Sequence, residues 1–362
     1  MGLIISVVVP VFNGGAAFRS CLHSLAMTDP APSEIIVVDD GSTDDSANVA
    51  REFSQVRLFS TGGRKGPATA RNLGARHAQG DLLWFVDADC TVPPDAILKI
   101  QQEFQRRPEL AALIGSYDDQ PAAPNLLSQY KNLLHHYVHQ TAGRDGFTFW
   151  GACGVIRRLV FEELNGFDER YQQASIEDIE LGYRAVARQK RIGICPELCI
   201  KHHKRWGLLG LLRTDFFLRA VPWSKLILRS GHMDNSMNIS RVARWRVALT
   251  GVIVASLIVA IWLPLALAIT AVATLLLLIL DWSLFQWFRC ARGWRFALSI
   301  IPWHWFSHLY SGVAFAYVNA LAYLQPVLGQ SDWELVADLD EHSLAMTLAS
   351  DELRETTYEN VG

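Results

Sequence analysis

Apolar residues fall in short unbroken runs over the first 90 positions, at residues 4–9, 35–38, 56–59 and 82–86. Runs of this length without a polar gap are expected of strands buried on both faces of a mostly parallel sheet. Between them, residues 16–25, a segment after Asp44, and residues 68–78 take helical spacing. Ser42 or Thr43 is placed to cap the second of these helices, with Asp44 and Asp45 in its first turn. Strands alternating with helices predict an α/β fold with a doubly wound, mostly parallel nucleotide-binding sheet.

The pattern changes in the second half. Residues 247–280 carry no charge and are interrupted by Pro264. A membrane span needs about 20 residues, so this stretch fits two short helices turning near 262–265, with one long kinked helix as the other solution. A further apolar stretch covers 296–324, with the expected span at 305–324. His304 and His308 lie in it, and such side chains must face protein, water or a head group. Ahead of this half, residues 208–230 interleave apolar residues with Arg213, Arg219, Lys225 and Arg229, as in a helix lying in a membrane interface. Arg289, Arg292 and Arg295 read as a cytoplasmic loop by the positive-inside rule, as does the basic segment before Val247. The chain therefore divides into a nucleotide-binding domain at 1–207, an amphipathic interfacial segment at 208–245, a transmembrane region of two or three helices at 246–325, and an acidic tail at 326–362. The expected location is the cell (inner) membrane, multi-pass, with the first domain cytoplasmic. No secretory signal is expected at the start, because residues 4–9 are too short for one and run into Pro10.

Charge narrows the partners. A net charge of −3 gives no reason to expect nucleic acid. The six cysteines lack paired Cys-x-x-Cys spacing and read as reduced thiols that do not hold metal.

The candidate chemistry collects at the ends of the predicted strands: Asn13 after the first, Asp39 and Asp40 after the second, Asp87 and Asp89 after the fourth. Open α/β sheets bind ligands at the carboxyl ends of their strands. An Asp-x-Asp pair suits a hard divalent cation shared with substrate phosphates. Arg71, near a helix start, offers a guanidinium suited to phosphate. Further on, Ser175 is a plausible cap that puts Glu177 and Asp178 in a first helical turn, where the helix dipole favours an ionised carboxylate.

The segments Val-Val-Val-Pro-Val-Phe-Asn (7–13), Val-Val-Asp-Asp-Gly-Ser-Thr-Asp (37–44), Gly-Pro-Ala-Thr-Ala-Arg-Asn-x-Gly (66–74) and Asp-Ala-Asp (87–89) resemble, in this order, the family 2 glycosyltransferases of the GT-A fold. The resemblance covers roughly the first 205 residues. It implies that Pro10 and Phe12 line a nucleotide base, that Asp39 or Asp40 reads its edge, and that Arg71 supports base and phosphates. It further implies that Asp87 faces the ribose and can share the metal held by Asp89, and that residues 150–154 lie beneath the donor sugar. Asp178 matches the family's general base, with Glu177 at the acceptor or orienting the loop. His202, or less favourably His203, would complete the metal shell. Residues 202–206 resemble the Gln-x-x-Arg-Trp motif of processive synthases with His in place of Gln, leaving Arg205 as a diphosphate contact and Trp206 as an acceptor contact. The implied activity is inverting transfer from a nucleotide-diphospho-sugar, a UDP-sugar first, with Mn2+ or Mg2+ as cofactor, to a lipid or lipid-linked acceptor. A processive synthase subunit and a catalytically silent sugar-nucleotide-binding subunit are the rival readings.

Overall fold

The computed structural model describes residues 3–328 other than 232, 234 and 236. The first half alternates β1 (Ile5–Val11), α1 (Gly15–Ala26), β2 (Glu34–Asp39), α2 (Ser46–Arg51), β3 (Val56–Ser60), α3 (Pro67–His77) and β4 (Leu82–Val86). It continues through β5 (Cys90–Thr91), α4 (Ala96–Arg106), β6 (Leu110–Tyr117), α5 (Leu126–Thr141), β7 (Asp145–Gly146), β8 (Cys153–Arg157), α6 (Arg158–Glu163), α7 (Glu177–Ala187) and β9 (Arg191–His202). The strands form one mixed sheet in the order β3-β2-β1-β4-β8-β6-β9-β5, with β7 beside β9. The first four are parallel, and β8 enters antiparallel between β4 and β6. Strand order reverses between β1 and β4, which places a ligand crevice at their carboxyl ends. Each face of the sheet carries its own apolar core, one including Val7, Val9, Leu82 and Trp84, the other Val8, Leu83, Phe85 and Phe161.

Two local expectations fail for stated reasons. Neither Ser42 nor Thr43 caps α2: the helix starts at Ser46, and Ser42 Oγ instead accepts the Asn13 N–H at 3.0 Å. Ser175 does not cap α7, because its hydroxyl donates to the Leu218 carbonyl at 2.7 Å while Glu177 takes its backbone N–H at 2.8 Å. β9 runs from Arg191 through Pro196 to His202.

Residues 208–230 form α8 (Leu208–Asp215), a π-helical turn (Phe216–Ala220) and α9 (Val221–Ser230). Next come α10 (Arg241–Val259), α11 (Ala266–Ser299) and α12 (Ile301–Leu328). Helices α10 and α11 are long and apolar enough to cross a membrane, and only 11% and 22% of their apolar windows are buried. A core helix of a globular protein would be mostly buried, so these apolar faces look outward. The stretch 289–295 is not a loop: Arg289 and Arg292 belong to α11, which breaks only at Gly293, where φ is 83°. The expected tail begins in the last residues of α12 and otherwise lies outside the described residues. Helix α5 packs on this half through Tyr130 and Leu133 against Leu284, Phe285 and Phe288.

Candidate active site

β1 ends in a turn fixed by its own polar residues. Asn13 has φ of 51° and its Oδ1 accepts the N–H groups of Thr43 at 2.8 Å and Asp44 at 3.3 Å. That carbonyl oxygen is committed to tying the β1 and β2 loops together. Pro10 is buried within β1 opposite Val38, whereas Phe12 is exposed with the Arg64 guanidinium 4.2 Å above its ring. The two acids after β2 part company. Asp40 is buried and accepts from Lys65 N–H, Gly66 N–H and Thr61 Oγ1 at 2.8 to 2.9 Å, so it fastens the 61–66 loop. Asp39 is half-buried and accepts from Ser42 N–H at 3.0 Å through one oxygen. Of the pair, Asp39 has the oxygen to offer a base edge.

Arg71 departs from its expected role. Its guanidinium is buried, with Nη1 donating to Glu177 at 2.8 Å and Nη2 to Asp87 at 2.7 Å. Two carboxylates occupy the face that a phosphate was expected to take, and the ring of Phe167 lies 5.4 Å from the guanidinium carbon. The arginine therefore positions acids. Lysine has a point charge where arginine has a fork, so Arg71→Lys is expected to lose one of the two bonds and about 2 kcal/mol of stability. Urea unfolding monitored by tryptophan fluorescence measures it; an unchanged midpoint would remove the bridging role. Gly151 passes close by, since a Cβ there would lie 3.0 Å from the same guanidinium. That close approach gives position 151 a reason to lack a side chain.

The same bond takes one of the two oxygens that Asp87 was expected to offer a metal. At the end of β4, the ligand atoms that converge are those of Asp89, Cys90 and His202, all within 4.8 Å of one another. Asp87 is turned to Arg71 instead. Asp89 and His202 face each other, Oδ2 to Nε2, at 3.2 Å, because β5 pairs with the end of β9 and brings Cys90 opposite His202. The His202 ring is stacked 4.6 Å from that of Tyr117. His203 points elsewhere, its Nε2 at 3.2 Å from Thr91 Oγ1. Burial opposes charge on Asp89, but His202 and Lys204 outweigh it and hold the carboxyl down to about 2. An ionised oxygen and an imidazole nitrogen suit Mn2+ or Mg2+ with substrate oxygens filling the shell. Burial pushes the Cys90 thiol well up, so it remains protonated and lies 3.7 Å from Asp89.

Asp178 follows Glu177, which Arg71 joins to Asp87. Its Oδ2 accepts the Gly151 N–H at 2.9 Å and its Oδ1 the N–H of Ile179 at 2.7 Å. Burial and the neighbouring Glu177 raise its carboxyl to about 6, against the Gly151 N–H, Arg71 and Arg219, which pull it back. A carboxylate with that value is mostly ionised at neutral pH yet basic enough to take a proton. Glu177 is buried between Arg71 and the Ser175 N–H and orients the loop.

Two expectations at the end of β9 do not hold together. Trp206 is buried, its N–H donating to Ser128 Oγ at 2.7 Å and its carbonyl accepting from Asn125 at 2.8 Å. Its ring is covered by Lys204 at 4.3 Å, so it is packed rather than offered to an acceptor. Arg205 beside it is exposed. Conversely, Tyr117 and Arg219 were not read as site residues. Tyr117 ends a buried strand 85 residues from His202, and Arg219 sits in a segment whose basic residues read as lipid-facing. Nothing local in the sequence marks either.

The family model "Glycosyl transferase family 2" matches residues 6–164. The glycosyltransferase GlyG of Streptococcus pneumoniae is 34% identical over 121 residues, which is 32% of this chain and 40% of that one. The chain thus spans less than half the length of this curated relative. An N-acetylglucosaminyl-diphospho-decaprenol L-rhamnosyltransferase of Mycobacterium tuberculosis is 26% identical over 235 residues, covering 56% of this chain and 76% of the relative. A solved structure of the mannosyltransferase PcManGT of Pyrobaculum calidifontis, in complex with GDP-Man and Mn2+, covers 88% of each chain with a TM-score of 0.53 at 17% identity. At that identity the likeness speaks for the fold.

Proposed function

We propose, from the membership of residues 6–164 in glycosyl transferase family 2, that the chain moves a sugar from a nucleotide-diphospho-sugar to a lipid or lipid-linked acceptor at the cytoplasmic leaflet, with inversion. The observation that carries this reading is that Arg71 bonds both Asp87, two residues before the Asp89 that faces His202, and Glu177, the neighbour of Asp178, whose carboxyl is raised to about 6. Asp39 and Phe12 would face the nucleotide base, and a UDP-sugar is the first donor to test. A divalent cation held by Asp89 and His202 would neutralise the departing diphosphate. The chain's own part is to take the acceptor proton on Asp178, while Arg71 fixes Asp87 and Glu177 around it. Attack from the face opposite the leaving group inverts the anomeric carbon.

The lipid side of the proposal is supported by the outward apolar faces of α10 and α11 and by the decaprenol-linked substrate in the name of the mycobacterial relative. Detergent-purified protein should release nucleotide diphosphate from one member of a sugar-nucleotide panel with Mn2+ or Mg2+, and do so faster with membrane lipid extract. Turnover on soluble acceptors alone would overturn the lipid acceptor, and donor binding without turnover in any condition would overturn the enzyme reading.

A further inference from the structure

A second group of ligand-type side chains lies far from the crevice in sequence, where α11 meets α12. Asp281 of α11 and His304 and His308 of α12 present ligand atoms within 4.8 Å of one another. Histidines four apart share one helix face. Asp281 is fully buried and His304 is 3% exposed. The orphaned atoms in this cluster include Asp281 Oδ1, His304 Nε2 and His308 Nε2, none of which has a hydrogen-bond partner. Buried polar atoms are ordinarily satisfied; here the two histidine nitrogens have no partner and Asp281 Oδ1 has only an Arg246 contact at 2.7 Å without directional hydrogen-bond geometry, so the three need a common explanation.

We propose that these three atoms hold a divalent transition ion of the Zn2+ class, which clamps α11 to α12 beneath the catalytic domain. Asp281 Oδ1 and His304 Nε2 are 3.5 Å apart, longer than a good hydrogen bond. Two ligands at Zn–N and Zn–O distances on one tetrahedral ion are separated by about 3.4 Å. The donor set, two imidazoles and one carboxylate, suits borderline ions, and the fourth position falls to water. The outer partners are also in place. His304 Nδ1 is 2.8 Å from the Tyr130 hydroxyl of α5, so a His304 bound through Nε2 keeps its proton on Nδ1 and donates it there. Asp281 Oδ2 accepts from Trp305 Nε1 at 3.1 Å. Arg246 of α10 stands 2.7 Å from Oδ1, through an Nε that has no directional bond of its own. With the ion bound it is an outer neighbour of the ligating carboxylate; without it, it is the counter-charge of Asp281.

The site is distinct from the one at Asp89, and its test needs no donor sugar. Protein purified in detergent without chelator should contain about one Zn2+-class ion per chain by elemental analysis, and X-ray absorption should show nitrogen and oxygen neighbours without sulfur. After chelator treatment, added Zn2+ at a hundred times its dissociation constant should raise the thermal midpoint by about 5 °C. His308→Gln should lose both the ion and the shift. Because Asp281→Asn can fail to fold, His308→Gln is the deciding variant, with Asp89→Asn as the control that keeps the ion. Protein that carries no transition ion and shows no Zn2+-dependent shift overturns the proposal in favour of an Arg246–Asp281 ion pair beside two metal-free histidines.

Discussion

Asp178→Asn is expected to lower the rate of sugar transfer about 10²–10⁴-fold with little change in donor binding. The amide keeps one oxygen for the Gly151 or Ile179 N–H but cannot accept a proton from the acceptor. No neighbour can substitute, since Glu177 is buried and bonded to Arg71 and to the Ser175 N–H. The pH dependence follows from the same environment. Burial first, and then Glu177, raise Asp178 to about 6, so kcat/KM should fall about tenfold per pH unit below that value and flatten above it. The effect on stability has the opposite sign. A carboxyl whose folded value lies above its unfolded value favours folding most in its protonated form, below about pH 4. That contribution is lost as pH rises through about 6, so at neutral pH the ionised base is a burden on the fold. Asp178→Asn should therefore unfold no more easily than the parent chain at pH 7 while being inactive. Single-turnover transfer and urea unfolding on the same preparation check both halves. Retention of more than a tenth of the parent rate would take the base role away from Asp178.

The second large effect is expected at the cation site. Asp89→Asn should lower turnover roughly 10²–10³-fold and raise the Mn2+ concentration needed for half-maximal rate, with excess Mn2+ restoring part of the loss. The Asp89 carboxyl stays ionised to about pH 2, so the parent site is ready for a cation throughout the working range. His202→Ala should show a milder version, because it removes one ligand and also the ring stacked on Tyr117. Chelator should abolish turnover in the parent chain, and Mg2+ or Mn2+ should restore it. Turnover indifferent to chelator and to Asp89→Asn would remove the metal from the reaction.

The sheet was legible because its strands are unbroken apolar runs: the run at 82–86 became β4, buried along its whole length, with Asp87 and Asp89 just beyond it. The hairpin was legible for a related reason, since Pro264 interrupts an uncharged stretch and the turn between α10 and α11 falls at 260–265. What could not be read was the use of each polar group. Asp39 and Asp40 are adjacent and chemically alike, yet one fastens a loop through three bonds and the other keeps an oxygen free. Arg71 has the side chain of a phosphate binder, and only the approach of α7, 106 residues away, commits it to Glu177. The caps failed because a serine hydroxyl is not tied to its own helix: Ser42 serves the β1 loop and Ser175 serves the π-helical turn. Long-range partners decide these cases, and a local pattern does not contain them.

Lys131 of α5 pairs with Asp215 of α8 at 2.5 Å, and Tyr310 of α12 donates to the other oxygen of the same carboxylate at 2.9 Å. One half-buried acid thus rivets three helices from the nucleotide-binding domain, the interfacial segment and the apolar half. Were α10 and α11 seated in a bilayer as proposed, that joint would restrain the crevice from swinging. The crevice would then stand at a set altitude above the lipid surface, like a cutting head on a fixed arm. An acceptor would then be chosen by the height at which it carries its hydroxyl as well as by its chemistry.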